Sequence, residues 1–109
     1  MAGGVNRGEI RLYTFEPPDK RRPVLILSRQ DVIGLLRTVI VAPITSTIRG
    51  SPGEVVVGIE EGLKKRSAVN LDHVQTVELD RLERFIGTVR PKKMTKICTA
   101  LRIATGCGP

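Results

Sequence analysis

The first part of the chain contains one stretch in which apolar and other residues alternate and one stretch that is continuously apolar. Over residues 8–15, apolar positions such as Ile10 and Leu12 alternate with others, and this period of two predicts a strand with one buried face. Residues 23–27 are continuously apolar, which is typical of a strand buried on both faces. Pro17 and Pro18 lie between the two stretches and predict a break there.

Runs rich in β-branched residues predict further strands at residues 38–45, 54–59 and 85–89, and one long, bent strand over residues 67–77. Pro43 lies within the first of these runs and cannot donate to a ladder, so it marks an edge or a bulge. Residues 30–36 form a short connection, and Asp80 is predicted to cap one helical turn that runs to Arg84.

The last part of the chain carries a helical pattern. Pro91 suits the first turn of a helix, and Gly106 suits its end. Between them, apolar residues recur at the spacing of one helix face: Met94, Ile97, Cys98 and Leu101. Several short strands followed by one helix predict a mainly β fold with a C-terminal helix, in the form of a small antiparallel barrel.

The chain has 109 residues, which fits a single domain, 1–109. We expect a folded core over about residues 6–104 with short flexible termini. A core of this size leaves room for a dimer interface to add buried surface. No apolar run approaches the about 18 residues of a membrane span, and Met1 to Gly8 has no apolar segment of a secretory signal. We therefore expect a cytoplasmic protein without a membrane partner.

The formal net charge is +7, and it is unevenly placed. Residues 84–109 hold six basic residues and no acidic ones. Two more clusters are Lys20-Arg21-Arg22 and Lys64-Lys65-Arg66, although Glu60 and Glu61 are expected to offset the second. Such a surface complements a polyanion such as RNA or DNA, or an acidic protein. The alternative is a basic surface that is merely solvated.

Few residues offer metal or acid–base chemistry. His73 is the only histidine, and in the middle of a predicted strand it is more typical of a structural residue than of a catalyst. Cys98 and Cys107 lack the spacing of a zinc site, and no glycine-rich phosphate loop occurs. We expect no metal and no cofactor.

Arginine and hydroxyl side chains at strand ends are the remaining candidates. Arg22 begins the buried strand at residue 23, while Thr45 and Ser46 end the strand at residues 38–45. Neighbouring strands would bring these ends together at one rim of a barrel. A guanidinium offers a planar fork of donors to phosphate oxygens, and a hydroxyl adds one more hydrogen bond, so a phosphodiester could be stabilised without a metal.

Several blocks of sequence occur in the order and spacing of a known family: Arg7-Gly8-Glu9-Ile10, Arg22-Pro23-Val24-Leu25-Ile26-Leu27-Ser28, Val41-Ala42-Pro43-Ile44-Thr45-Ser46, and Ser67-Ala68-Val69-Asn70-Leu71-Asp72-His73-Val74-Gln75-Thr76-Val77. With Asp80-Arg81-Leu82, Phe85-Ile86-Gly87 and the helix at Pro91, the chain resembles the MazF/PemK (Kid) toxin family over about residues 6–104.

The resemblance implies an SH3-like (CcdB-like) barrel, a homodimer, and a metal-independent, sequence-specific endoribonuclease that cuts single-stranded RNA. It also implies a cognate antitoxin that lays an acidic or amphipathic C-terminal segment across the RNA groove. The family's catalytic arginine corresponds to Arg22, and its catalytic threonine to Thr45. Our candidates for contacts with RNA are Lys20, Arg21, Ser46, Thr47, Arg49, His73 and Gln75.

The chain departs from the family pattern in three places. The loop at residues 16–21 is shorter than usual, His73-Val74-Gln75 replaces a common Gln-Ile-Arg, and the helix begins with Arg90-Pro91-Lys92-Lys93 instead of an acidic start. Cations at a helix N-terminus oppose its dipole. Together with Lys96, this cluster is either an anion-binding spot for RNA or antitoxin, or a solvated face.

Two rival functions share this fold. A CcdB-like gyrase poison acts through a C-terminal Trp-Gly-Ile, whereas this chain has no Trp and ends Gly-Cys-Gly-Pro. A non-catalytic nucleic-acid-binding barrel would stack bases on aromatic rings, and the chain offers only Tyr13, Phe15 and Phe85.

Overall fold

Seven strands and one α-helix make up the part of the chain that the computed structural model describes, residues 4–18 and 20–108. In chain order they are β1 (Glu9–Thr14), β2 (Arg21–Ile26), β3 (Thr38–Thr45), β4 (Glu54–Val57), β5 (Ser67–Asn70), β6 (Gln75–Glu78), β7 (Phe85–Thr88) and α1 (Pro91–Thr105). The predicted flexible termini are residues 1–5 and 105–109, of which 1–3 and 109 lie outside the described residues. Val5 is buried in a core cluster, and Thr105 is the last residue of α1.

The strands pair antiparallel in the order β4-β5-β3-β2-β1-β7, and β6 pairs with β3 as well. The sheet curls until the turn after β4 meets β7, where a Cβ on Gly62 would lie 2.5 Å from the carbonyl oxygen of Ile86. Gly62 has a φ of +91°, which glycine adopts without strain. This curled half-barrel with one C-terminal helix confirms the predicted fold class.

Strand β2 is buried on both faces, as its continuous apolar run predicts. Successive side chains of a strand point to opposite faces. Val24 and Ile26 pack into a cluster on one face of the sheet, whereas Leu25 and Leu27 pack into the cluster on the other face. The second cluster also contains Ile97 of α1. The sheet therefore carries core on both sides at its centre, which fixes the position of the β2 end.

The predicted long strand over residues 67–77 is wrong, because a 3₁₀ turn at Leu71–His73 divides it into β5 and β6. Pro43 of β3 supplies the reason. The amide and carbonyl of Ile40 bond on the β2 side of β3. Backbone groups of successive residues point to opposite sides of a strand, so those of residue 43 face β5 and β6. Pro43 has no N–H to donate on that side. Ile44 pairs with Val69 and Val41 with Gln75, so the partner segment bulges outward between these pairs.

Three other boundaries differ from the predictions. Strand β2 begins at Arg21, so Arg22 lies within the strand instead of before it. Strand β4 ends at Val57, because a 3₁₀ turn follows at Ile59–Glu61. The turn near Asp80 is 3₁₀ helix over Leu79–Arg81, and Glu78 precedes it, so the capping role of Asp80 is wrong.

Helix α1 packs as its apolar spacing predicts. Ile97 and Ala100 are buried, and Met94 and Leu101 pack against the same core cluster. Cys98 is half-buried, and its Sγ lies 3.4 Å from a guanidinium nitrogen of Arg7. Among the described residues, no helix is long and apolar enough to cross a membrane.

Candidate active site at the ends of β2 and β3

Arg22 and Thr45 meet at one rim of the curled sheet. Val24 pairs with Pro43 at the end of the β2–β3 ladder, and Arg22 and Thr45 each lie two residues beyond this pair on their own strands. Arg22 is held on its other side by pairing with Tyr13 of β1, and Thr45 by pairing with Ala68 of β5. Both side chains are half-buried, so the sheet holds their backbones while leaving their polar groups accessible.

Two cavities open on either side of this pair. The first has a volume of about 610 Å³ and is lined by Phe15, Arg22, Pro43, Thr45, Thr47, Arg49, Ser51, Glu54, Asn70, Asp72, His73 and Gln75. The second, of about 440 Å³, is lined by Leu12, Lys20, Arg21, Arg22, Pro23, Ile44, Thr45, Ser46, Gly62, Leu63, Lys64, Lys65, Ser67, Arg84 and Ile86. Arg22 and Thr45 are the two residues that line both cavities.

The hydroxyl of Thr45 is oriented by its own chain. Its Oγ1 accepts a hydrogen bond of 3.1 Å from the backbone N–H of Thr47. A hydroxyl that accepts from an amide can still donate its proton to another acceptor. Thr45 can thus donate to a phosphoryl oxygen held between the two cavities.

Arg22 supplies positive charge at the same place. Within residues 4–18 and 20–108, no carboxylate forms an ion pair with it. A guanidinium stays protonated at all ordinary pH values and presents a fixed fork of donors. The pair Arg22 and Thr45 therefore offers one cationic and one neutral donor to an anionic group.

The sequence matches the family of PemK-like, MazF-like toxins of type II toxin–antitoxin systems over residues 6–105. The chain belongs to this family. The probable endoribonuclease MazF5 of Mycobacterium tuberculosis (strain ATCC 25618 / H37Rv) is 47% identical over 90 residues, which are 80% of this chain and 81% of that protein. The resemblance inferred from the sequence blocks is confirmed.

Solved structures agree with this membership. The Mycobacterium tuberculosis toxin MazF-mt6 is 38% identical with a TM-score of 0.84, covering 90% of this chain and 96% of that one. An endoribonuclease in complex with its cognate antitoxin from Mycobacterial species is 30% identical with a TM-score of 0.85, covering 96% of this chain and 98% of that one.

In this MazF-like chain, the residues predicted to contact RNA divide between the two cavities. Thr47, Arg49, His73 and Gln75 line the first, and Lys20, Arg21 and Ser46 line the second. The single groove expected from the sequence is thus two cavities with different chemistry. The first mixes cations with Glu54 and Asp72, while the lining of the second contains no carboxylate.

A short side-chain network orders the first cavity. Asn70 caps the 3₁₀ turn, because its Oδ1 accepts a 3.0 Å hydrogen bond from the N–H of Asp72. This fixes the amide so that its Nδ2 lies 2.6 Å from Nδ1 of His73 and donates to it. The neutral imidazole then carries its proton on Nε2, so His73 offers a donor to a ligand at that nitrogen.

The loop after β3 is held by a carboxylate. Glu54 Oε1 accepts hydrogen bonds from the N–H groups of Arg49 and Gly50, at 3.0 Å and 2.8 Å. These two bonds hold the backbone of Arg49 and Gly50, and Arg49 lines the first cavity. Glu54 therefore has a positioning role that its place at the start of a strand did not indicate.

Sequence reasoning missed residues in both cavities. Asn70 and Asp72 lie in a recognised sequence block, but their place in the site depends on the unpredicted 3₁₀ turn. The sequence marks Lys64 and Lys65 as a basic cluster but predicts that Glu60 and Glu61 offset their charge. No group of three His, Cys, Asp or Glu side chains suited to a metal occurs in the described part of the chain.

Proposed function

We propose that this chain is a sequence-specific endoribonuclease toxin that cleaves single-stranded RNA without a metal ion and so inhibits translation and growth. One observation carries the proposal: a cationic donor, Arg22, and a hydroxyl donor, Thr45, stand together between two cavities. A strand of RNA lying in both cavities would place a phosphate against this pair. Family membership and the names of the endoribonuclease relatives support the same activity.

The proposed reaction is an internal transesterification. The ribose 2′-OH loses its proton to water and attacks the adjacent phosphorus, so that the P–O2′ bond forms. The P–O5′ bond breaks, and the departing 5′ oxygen takes up a proton from water. The products are a 2′,3′-cyclic phosphate and a fragment with a 5′-OH. Arg22 stabilises the extra negative charge of the phosphorane, and Thr45 donates to one phosphoryl oxygen, because preorganised donors act most strongly where charge develops.

The proposal includes partners. A cognate antitoxin with an acidic or amphipathic C-terminal segment would cover the basic site, in keeping with the relative whose structure contains its cognate antitoxin. We also propose that the toxin acts as a homodimer in the cytoplasm, where its RNA substrate is found. Size-exclusion chromatography with light scattering tests the dimer.

Incubation of the purified protein with a long RNA in EDTA tests the activity, with Arg22→Ala prepared in parallel. We expect the wild type to produce fragments with 2′,3′-cyclic phosphate and 5′-OH ends, and the variant to produce them about 10² to 10³ times more slowly. Cleavage that needs a divalent ion, or equal cleavage by both proteins, contradicts the mechanism. Trapping of gyrase on DNA without RNA cleavage would favour a CcdB-like poison.

A further inference from the structure

The second cavity is strongly basic. Six of its lining residues are cationic, and none is acidic: Lys20, Arg21, Arg22, Lys64, Lys65 and Arg84. Arg21 forms an ion pair of 2.9 Å with Glu83 outside the lining. Lys64, Lys65 and Arg84 form no ion pair within residues 4–18 and 20–108. The cavity thus has the charge of a site for an anionic ligand.

The nearby acids do not neutralise Lys64 and Lys65, contrary to the expectation from sequence. Glu61 is buried and accepts a hydrogen bond of 2.8 Å from Nζ of Lys93. Glu60 lies 3.8 Å from the same ammonium group. Both carboxylates are directed to the first turn of α1, so the positive charge of the Lys64-Lys65 turn remains available to a ligand.

The backbone fixes these cations on two sides of the cavity. On one side, the buried Ser67 donates a 3.0 Å hydrogen bond to the carbonyl of Lys65, and Leu63 is anchored in the core. On the other side, the carbonyl of Arg84 accepts a 3.0 Å bond from the N–H of Leu12. The sheet therefore fixes the backbone from which these charged side chains extend into the cavity.

We propose that the second cavity binds the sugar–phosphate backbone of the RNA on one side of the cleaved phosphate, with Lys64, Lys65 and Arg84 as phosphate contacts. The first cavity then receives nucleobases on the other side, where Asn70, His73 and Gln75 offer groups that can read base edges. This assignment rests on the proposed ribonuclease function and divides the bound RNA between the two cavities.

The shared lining favours RNA over an acidic peptide as the occupant. Arg22 and Thr45 belong to both cavities, so a continuous strand that crosses them must enter the second cavity. Phosphates recur at every nucleotide and match a cavity whose lining has cations on both sides and no carboxylate. An acidic peptide could bind in the second cavity without contacting Arg22 and Thr45.

Binding of trimmed oligonucleotides tests the proposal. An RNA of about 16 nucleotides, centred on a mapped cleavage site, carries a 2′-deoxy residue at the attacking position so that it binds uncut. Two shorter versions end next to the site on the 5′ or on the 3′ side. The protein variants are Lys64→Gln/Lys65→Gln and the control Arg37→Gln/Arg102→Gln, which removes equal charge from exposed positions outside both cavities.

We expect the wild type to bind the oligonucleotide more weakly when the end that lies in the second cavity is trimmed. The Lys64→Gln/Lys65→Gln variant should bind the full oligonucleotide about tenfold more weakly, with a salt slope lower by about 1.4, since each phosphate contact on a single strand contributes about 0.7. The same variant should bind this trimmed oligonucleotide and the full oligonucleotide with equal affinity, while the control variant should lose affinity on trimming as the wild type does. Circular dichroism of both variants verifies that they are folded.

Equal losses in the two variants, or equal sensitivity to trimming in Lys64→Gln/Lys65→Gln and in the wild type, would overturn the assignment. A variant that binds RNA normally but binds polyglutamate more weakly would assign the cavity to an acidic protein segment and also overturn it. Failure of the wild type to cleave the unmodified RNA is a separate result, which contradicts the proposed function itself.

Discussion

Nζ of Lys93 lies 2.8 Å from Oε2 of Glu61 and joins the first turn of α1 to the turn after β4. The Glu61 side chain is 5% exposed and that of Lys93 is 25% exposed. Burial raises the pKa of Glu61, but hydrogen bonds from Lys93 and from the N–H of Gly58 outweigh it, so the pKa lies below its usual value. Lys93 thus has a structural partner in Glu61, while the role of the basic cluster at the start of α1 in binding an anion stays a prediction.

This ion pair predicts a pH-dependent stability. Because the folded-state pKa of Glu61 is lowered, its contribution is present above the unfolded-state pKa and is lost as the pH falls through the folded-state value. Glu61→Gln should lower the free energy of unfolding at neutral pH by about 1–3 kcal/mol, since it leaves the Lys93 charge without its nearest partner. Denaturant unfolding at about pH 7 and about pH 3.5 measures the effect, and the difference from wild type should shrink at the lower pH.

Lys92→Gln serves as the matched control, because Lys92 is exposed and adjacent to Lys93 in sequence. We expect it to change the free energy of unfolding by less than about 0.5 kcal/mol. If Glu61→Gln were as stable as Lys92→Gln at neutral pH, the ion pair would make no measurable contribution.

Arg22→Ala should reduce single-turnover cleavage by about 10² to 10³, because it removes a donor aimed at the charge of the phosphorane. Arg22→Lys should recover only part of the rate, since an ammonium group keeps the charge but lacks the planar fork. Both variants should unfold near the wild-type denaturant midpoint, because the side chain lies at a rim and not in the core. Full activity in Arg22→Ala would remove Arg22 from the mechanism.

Thr45→Val tests the hydroxyl while keeping the β-branched shape of the side chain. Cleavage should fall much more than stability, since the amide of Thr47 that loses its acceptor lies at an exposed residue and can bond to water. Thr45→Ser should restore most of the rate because it returns the hydroxyl. A parallel loss of thermal stability and activity in Thr45→Val would make Thr45 a structural residue.

The regular elements could be predicted from the sequence because their patterns are local. The continuous apolar run in β2 indicates a strand that is buried on both faces. The apolar residues of α1, spaced three or four apart, indicate a helix that is buried on one face. The sequence also predicts that Arg22 and Thr45 lie near each other, since each lies at the end of a recognisable strand, and both residues line the same two cavities.

The remainder depends on contacts between distant parts of the chain. The break between β5 and β6 arises opposite Pro43, whose missing N–H matters only once the strand pairing is known. Similarly, Glu61 does not neutralise Lys64 and Lys65, because its carboxylate binds Lys93, which lies 32 residues away in the sequence. Neither the break opposite Pro43 nor the contact between Glu61 and Lys93 can be predicted from neighbouring residues in the sequence. The sequence alone therefore does not predict two separate cavities.

Asn70 offers a test of the first cavity. Its Oδ1 caps the 3₁₀ turn and its Nδ2 donates to His73, so its two functions can be separated by substitution. Asn70→Asp keeps an acceptor for the N–H of Asp72 but removes the donor, whereas Asn70→Ala removes both. We therefore expect Asn70→Ala to lose about 1 kcal/mol of stability and Asn70→Asp to lose little.

Both substitutions should weaken the binding of a short RNA that fills only the first cavity, because both release the imidazole of His73 from its fixed orientation. His73→Gln, which keeps a hydrogen-bond donor but not the ring, should bind this RNA more weakly without a loss of stability. The measurements are denaturant unfolding and fluorescence anisotropy with the trimmed oligonucleotide. If Asn70→Asp bound that RNA as the wild type does, the contact between Asn70 and His73 would serve the turn alone and not the recognition of RNA.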